Sequence, residues 1–219
     1  MFNYNFLPTN TRDLLLKLKD QKWIEPFTLV GGSALAIQIS HRQSEDLDFI
    51  LDDEYLDLNY IKRSVNKCFP GSFRIMKIED SYQIDFVIRQ VKVTFFSAGA
   101  VQIPFQIKPS AQRSNCLWIA PIDIIAVLKM SAIAQRNTMR DYYDLYYIAK
   151  YAIPLEEIIQ KCKTLLPGLA PITYTETLIY TEDIPEDNIQ NHLAPVESVT
   201  KYQIADYFEK QLIKIRDKI

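Results

Sequence analysis

Strand-length apolar runs dominate the first half of the chain, and helical stripes dominate the second. Leu14, Leu15, Leu16 and Leu18 mark a first helix over residues 12–19, with Thr9, Asn10 and Thr11 as candidate caps. Residues 27–30, Phe-Thr-Leu-Val, form a run with aromatic and β-branched side chains, which Gly31 and Gly32 break. Ser33 then stands where a helix would be capped, and residues 34–39 are mostly good helix formers. A polar connection leads to Asp46-Leu47-Asp48 and a second strand, Phe49-Ile50-Leu51. Residues 58–69 read as a helix stopped by Pro70-Gly71. Strand-like runs follow at 73–78, 82–88 and 91–97, the last two joined by Arg89-Gln90 as a short hairpin turn. Residues 99–109 read as a loop limited by Pro104 and Pro109, and Leu117-Trp118-Ile119 as a short strand or extended segment.

From Pro121 the texture is helical. Helices are expected after Pro121, from residue 138 or 139 to 150, over 155–166 and over 200–219, whereas residues 171–195, polar and acidic, read as irregular. The expected class is α+β: a mixed sheet of about five strands with helices over residues 1–110, then a helical subdomain over 111–219.

Composition narrows the class only a little. With 219 residues, 48% hydrophobic and 24% charged, the chain fits a soluble globular protein of one large or two small domains. It has no apolar run of membrane-spanning length, and MFNYNFLPTN lacks a basic region followed by an apolar one, so no membrane partner is expected. Cys68, Cys116 and Cys162 are odd in number and far apart, which suits neither a disulfide framework nor a metal motif; a cytoplasmic location is expected. The net charge is −2, so any nucleic-acid surface has to be a local patch.

Candidate chemistry gathers around the glycine pair. In a strand, Asp46 and Asp48 would present carboxylates on one face. Two like charges that close call for a cation, and oxygen-only donors suit Mg²⁺. Free N–H groups where the helix starts at Ser33 suit a phosphate. The acids Asp52, Asp53, Glu54 and Asp57 fit a solvated loop and a helix N-terminus better than a metal site.

Gly32-Ser33 followed by Asp46-x-Asp48 resembles the signature of the DNA polymerase β-like nucleotidyltransferases. The longer run, Gly31-Gly32-Ser33-Ala34-Leu35 through His41-Arg42-x-Ser44-x-Asp46-Leu47-Asp48-Phe49, is similar to the AbiE-type (AbiEii-like) toxins of that superfamily, which belong to prokaryotic abortive-infection and toxin–antitoxin systems. The resemblance implies a polymerase β-like core that transfers a nucleoside monophosphate from an NTP to a hydroxyl, with RNA, and a tRNA 3′ end in particular, as acceptor and a cognate antitoxin protein as partner. It also implies Mg²⁺ or Mn²⁺ on Asp46 and Asp48, and NTP phosphates on Gly31, Gly32 and Ser33. Arg42 either reaches a phosphate or pairs with Asp46, and His41 fits a helix-end or packing role.

Polymerase β-like enzymes use three carboxylates around two metal ions. In the AbiE-like toxins the third lies in a strand resembling Gly-Val-Lys-Val-Asp-Phe, whereas Val91-Lys92-Val93-Thr94-Phe95 here has Thr94 at that place. A hydroxyl supplies neither the charge nor the basicity of a carboxylate. If Arg89-Gln90 is a two-residue turn, Asp85 pairs with Thr94 on the same face, about 5 Å away. Asp85 is then either the third acid or a partly exposed strand residue. Besides an RNA-modifying transferase, a nucleotide-binding module without turnover and a small-molecule transferase of the antibiotic-modifying kind remain open.

A second group lies in the helical half. Lys129, Arg136, Arg140 and Asp144 would align on one helix face if the helix ran through Asn137-Thr138. Residues 125–136 and Arg140-Asp141-x-x-Asp144-Leu145 resemble later motifs of the same family, in which a lysine and an Arg-Asp-x-x-Asp group close the nucleotide site. Lys129 would then meet the triphosphate as a point charge, and Arg140 would meet phosphate or carboxylate as a fork. The other reading is a ladder of ion pairs. Tyr142, Tyr143, Tyr146 and Tyr147 either pack the core or stack on a base.

Overall fold

The computed structural model describes residues 2–136, 138–185, 189 and 193–217. It divides into two compact units, Met1–Pro121 and Ile122–Ile219.

The first unit runs α1 (Thr9–Leu18), β1 (Phe27–Val30), α2 (Gly31–Ile39), β2 (Leu47–Leu51), α3 (Leu58–Cys68), β3 (Phe73–Glu79), β4 (Gln83–Ile88), β5 (Val91–Ser97), a single turn α4 (Ala98–Val101), β6 (Gln112–Ser114) and β7 (Leu117–Ile119). The strands form one seven-stranded sheet in the order β3-β4-β5-β2-β1-β7-β6. It is mixed: β2 and β5 are parallel, as are β1 and β7, and the other neighbours are antiparallel. The two strands beyond the expected five are short, and polar Gln112-Arg113-Ser114 offers no apolar alternation to announce β6.

One face of the sheet carries an aromatic core. Phe49 stacks on Phe95 at 5.2 Å between ring centres, and Phe27 and Phe86 meet the same ring edge-on at 5.1 and 6.2 Å. Leu14, Leu15 and Leu18 of α1 are buried, and α1 packs against β5. Arg89 and Gln90 have φ of 50° and 70°, the two left-handed residues that a two-residue hairpin requires, although neither is a favoured turn former. The expected register follows, with Ile88 opposite Val91 and Asp85 opposite Thr94. At the free edge, β3 is exposed along most of its length and breaks register between Ile75 and Lys77, and the bulge and the lysine blunt that edge.

The second unit is helical: α5 (Ile122–Gln135), α6 (Met139–Tyr151), α7 (Leu155–Leu165), α8 (Pro171–Ile179) and α9 (Lys201–Arg216). Helix α5 is buried at Ile124, Ile125, Ala126, Val127, Met130 and Ile133 and packs against α6, α7 and α8. The single helix through Asn137-Thr138 is not formed, because Thr138 is in an extended conformation and caps α6 by accepting a bond from the Asp141 N–H. Asn137 itself lies outside the described residues. Helix α8 replaces the irregular structure expected there; Pro171 occupies its first turn, and Tyr174 and Leu178 turn inward. Residues 186–188 and 190–192 of that expected stretch lie outside the described residues. No described helix is long and apolar enough to cross a membrane.

Candidate active site

The centre of the site is the junction of β1 and α2. Helix α2 begins at Gly31, directly after the strand, so Ser33 lies inside the first turn rather than at the cap. No connecting loop is needed because Gly31 adopts φ +71°. A Cβ built on Gly31 would lie 2.9 Å from Oδ2 of Asp48, which leaves the helix start and that carboxylate with no room between them. A Cβ on Gly32 would meet Arg42 Nη2 and Ser44 Oγ, each at 2.8 Å. Gly31 is therefore required by its backbone angle, and at both positions an added Cβ would push aside the side chain it meets. Gly31→Ala should cost about 1–3 kcal/mol and push Asp48 aside. A urea titration reads the stability, and an unchanged midpoint would refute the expectation.

The polar connection between α2 and β2 is pinned from two directions. The buried Ser33 hydroxyl donates to the Asp46 carbonyl, and Thr11 Oγ1 donates to the Glu45 carbonyl at 2.8 Å. Asp46 thus sits one residue before β2 rather than within it, and Asp48 is the second strand residue, paired with Val30 across the sheet. Arg42 is 3% exposed, and its Nη1 donates to the Gln43 carbonyl at 2.8 Å. His41 is fully buried, in keeping with the packing role expected of it.

Across the next strands Asp48 pairs with Thr94 and Thr94 with Asp85, so these three side chains form one row on one face. Asp85 is 6% exposed; Gln83 Nε2 donates to its Oδ1 at 2.7 Å, and Lys92 Nζ lies 3.5 Å from its Oδ2. Among the described residues, no three carboxylate, histidine or cysteine groups come close enough together to hold a metal. The structure therefore brings Gly31, Gly32, Ser33, Arg42, Asp46 and Asp48 together, and sets Asp85 two strands from Asp48, beyond Thr94. Two of the acids that follow are structural. Asp52 accepts from the N–H groups of Ile107 and Lys108 at 2.9 and 2.8 Å, and Asp57 caps α3 through the Tyr60 N–H.

In the second unit, Lys129 is 7% exposed and lies between two carboxylates, 2.6 Å from Asp141 Oδ1 and 2.5 Å from Asp144 Oδ2. Arg136 Nε and Thr138 Oγ1 donate to the other Asp141 oxygen at 3.0 and 2.7 Å. Burial alone would raise the Asp141 pKa, but the charges of Lys129 and Arg136 and the bonds from Lys129 and Thr138 outweigh it and hold the carboxyl below its ordinary 3.8. Arg140 lies in the first turn of α6. Tyr142 and Tyr143 are fully buried, and burial pushes both phenols up to about 12, so these two tyrosines serve packing.

Four partners were given no role in the site from the sequence: Thr11, Ser44, Gln83 and Lys92. Gln83 is two positions from Asp85 and shares its face, so the hairpin register could have revealed it. Thr11 lies 34 residues from Glu45, and nothing local marks that contact.

A helix start beside a strand carboxylate suits an anion and its counter-ion, and comparison with known proteins places the chain among nucleotidyltransferases. A family model described as nucleotidyl transferase AbiEii toxin, type IV toxin–antitoxin system, matches residues 13–200. The chain belongs to that family and is a nucleotidyltransferase. An uncharacterized protein of Aquifex aeolicus (strain VF5) is 27% identical over 212 residues, covering 93% of this chain and 98% of its own. Two solved structures share the fold. MenT4, a nucleotidyltransferase toxin of Mycobacterium tuberculosis H37Rv, superposes with a TM-score of 0.57 at 14% identity, covering 93% of this chain and 84% of that one. JHP933 of Helicobacter pylori superposes at 0.54 and 17% identity, covering 95% and 94%.

Proposed function

We propose that this toxin-family nucleotidyltransferase moves a nucleoside monophosphate from an NTP to a hydroxyl of RNA, with a tRNA 3′ end as the favoured acceptor. The observation that carries the reading is the close approach of Gly31 and Asp48, which sets the first N–H groups of α2 beside a carboxylate. The residues fit Mg²⁺ or Mn²⁺: Asp46 and Asp48 are half-buried oxygen donors, and Mg²⁺ takes one or two carboxylates and fills its shell with water and substrate phosphate. Bound there, the ion would neutralise phosphate charge and lower the pKa of the attacking hydroxyl.

The protein's own share is positioning. The N–H groups from Gly31 to Ser33 hold the terminal phosphates, and Arg42, packed beside Gly32, adds charge to that cradle. The acceptor oxygen bonds to the α-phosphorus, the bond from that phosphorus to the bridging oxygen breaks, and pyrophosphate leaves with the electron pair. Asp85 takes the acceptor's proton, directly or through water, in the role that Thr94 cannot fill. The family's system also implies a cognate antitoxin protein as partner.

The test is incubation of purified protein with each α-³²P-labelled NTP, Mg²⁺ or Mn²⁺ and total RNA. Label should enter an RNA band in a metal-dependent way, and Asp85→Asn should slow that entry at least tenfold while nucleotide binding, read by calorimetry, persists. Bound NTP with no label in RNA would sink the reading and leave a binding module. Label in an added aminoglycoside alone would make it a small-molecule transferase.

A further inference from the structure

The site face of the sheet changes character on the far side of the acids. Starting at Asp48, one row runs through Thr94 and Asp85 to Lys77 on β3. The next row on that face runs from Lys92 through Val87 to Arg74. With strands about 4.8 Å apart, these cations stand within about 15 Å of Asp48, toward the free edge. Arg74 is exposed, and the side chains of Lys77 and Lys92 are 54% and 50% exposed. Lys77 pairs with exposed Glu79, and Lys92 reaches Asp85 only at 3.5 Å. The exposed Lys77–Glu79 pair contributes about 0–1 kcal/mol, so an incoming phosphate displaces it at little cost. In a chain whose net charge is −2, three exposed cations on one sheet margin form the local patch that nucleic acid needs.

The side on which they lie selects the partner. The NTP phosphates belong at the start of α2, on the β1 side of Asp48, whereas the cations lie on the β5-β4-β3 side. Attacking and leaving oxygens stand roughly in line at the transferred phosphorus, so the acceptor approaches from the side opposite the pyrophosphate. We infer that Arg74, Lys77 and Lys92 form a track for the phosphate backbone of a single-stranded RNA acceptor, which leads its terminal hydroxyl to the acids. This inference rests on the transferase reading of the same site.

The experiment is fluorescence anisotropy with a labelled single-stranded RNA 12-mer and no NTP. It compares the wild type, the triple variant Arg74→Gln/Lys77→Gln/Lys92→Gln, and a control of equal charge, Lys22→Gln/Arg63→Gln/Lys67→Gln, which removes exposed cations from α3 and from the turn before β1. The track variant should bind at least tenfold more weakly at about 0.1 M salt, and its slope of log affinity against log salt should fall by about two, at roughly 0.7 per lost phosphate contact. The control should stay within twofold, and nucleotide affinity should not change in either variant. Equal RNA affinity in wild type and track variant, or an equal loss in the control, would overturn the track. So would an acidic peptide of matching charge that competes as well as RNA, since that would make the partner a protein. Label transfer that persists unchanged in the track variant would remove the track and keep the transferase. RNA binding that the track variant loses, in a wild type that transfers no label, would do the reverse.

Discussion

Asp48→Asn should lower nucleotidyl transfer on the order of 10³-fold, equivalent to about 4 kcal/mol of transition-state stabilisation. The amide keeps the size and shape of the side chain, and Asp48 lies in a short strand whose backbone bonds to neighbours on both sides, so the fold should survive. What is lost is a full negative charge at the carboxylate pressed against the helix start. Nucleotide binding should persist, because the N–H groups of Gly31, Gly32 and Ser33 do not depend on that charge. Metal-dependent tightening of the nucleotide should fall away. The measurement pairs label transfer with calorimetry of NTP with and without Mg²⁺. Transfer within tenfold of wild type would place the chemistry elsewhere, and loss of all nucleotide binding would show that the carboxylate shapes the cradle itself.

The part of the site read most securely from sequence was the part set by local rules. A glycine pair after a strand demands a sharp turn, and the structure supplies it through the left-handed φ of Gly31. The Asp85–Thr94 pairing followed from counting two turn residues at Arg89-Gln90, even though their side chains do not favour such a turn. Readings failed where tertiary contact overrode local preference. Ser33 looked like a cap, but with no loop between β1 and α2 its hydroxyl is spent on the Asp46 carbonyl. The stretch after Pro171 looked irregular because its β-branched and polar residues are weak helix formers, and burial of Tyr174 and Leu178 holds α8 together instead. The separate helix expected from residue 138 or 139 does form; the one-face alignment of Lys129 to Asp144 needed a helix unbroken at Thr138, and Lys129, Asp141 and Asp144 meet instead by the return of α6.

That meeting carries the largest stability effect. Lys129→Met should destabilise the protein by about 3–5 kcal/mol, because it leaves Asp141 and Asp144, 2% and 0% exposed, as buried carboxylates stripped of the cation between them. A lysine that served only to touch phosphate would leave the urea midpoint where it was, so the same variant decides between the two roles weighed for it. Adding Asp141→Asn and Asp144→Asn to Lys129→Met should restore part of the loss, since uncharged groups are less costly to bury. The pH dependence gives an independent readout. The Asp141 carboxyl titrates below its ordinary 3.8 in the folded protein, so the unfolded chain takes up the proton first as pH falls. Its contribution is fully present above about pH 4 and is lost as pH drops through the lowered folded value. Asp141→Asn should therefore be less stable than the wild type at neutral pH and show a shallower loss of stability below about pH 4. Parallel acid limbs for the two proteins would mean that Asp141 draws no net stabilisation from Lys129 and Arg136, and the cluster would then have to be explained by a ligand rather than by the fold.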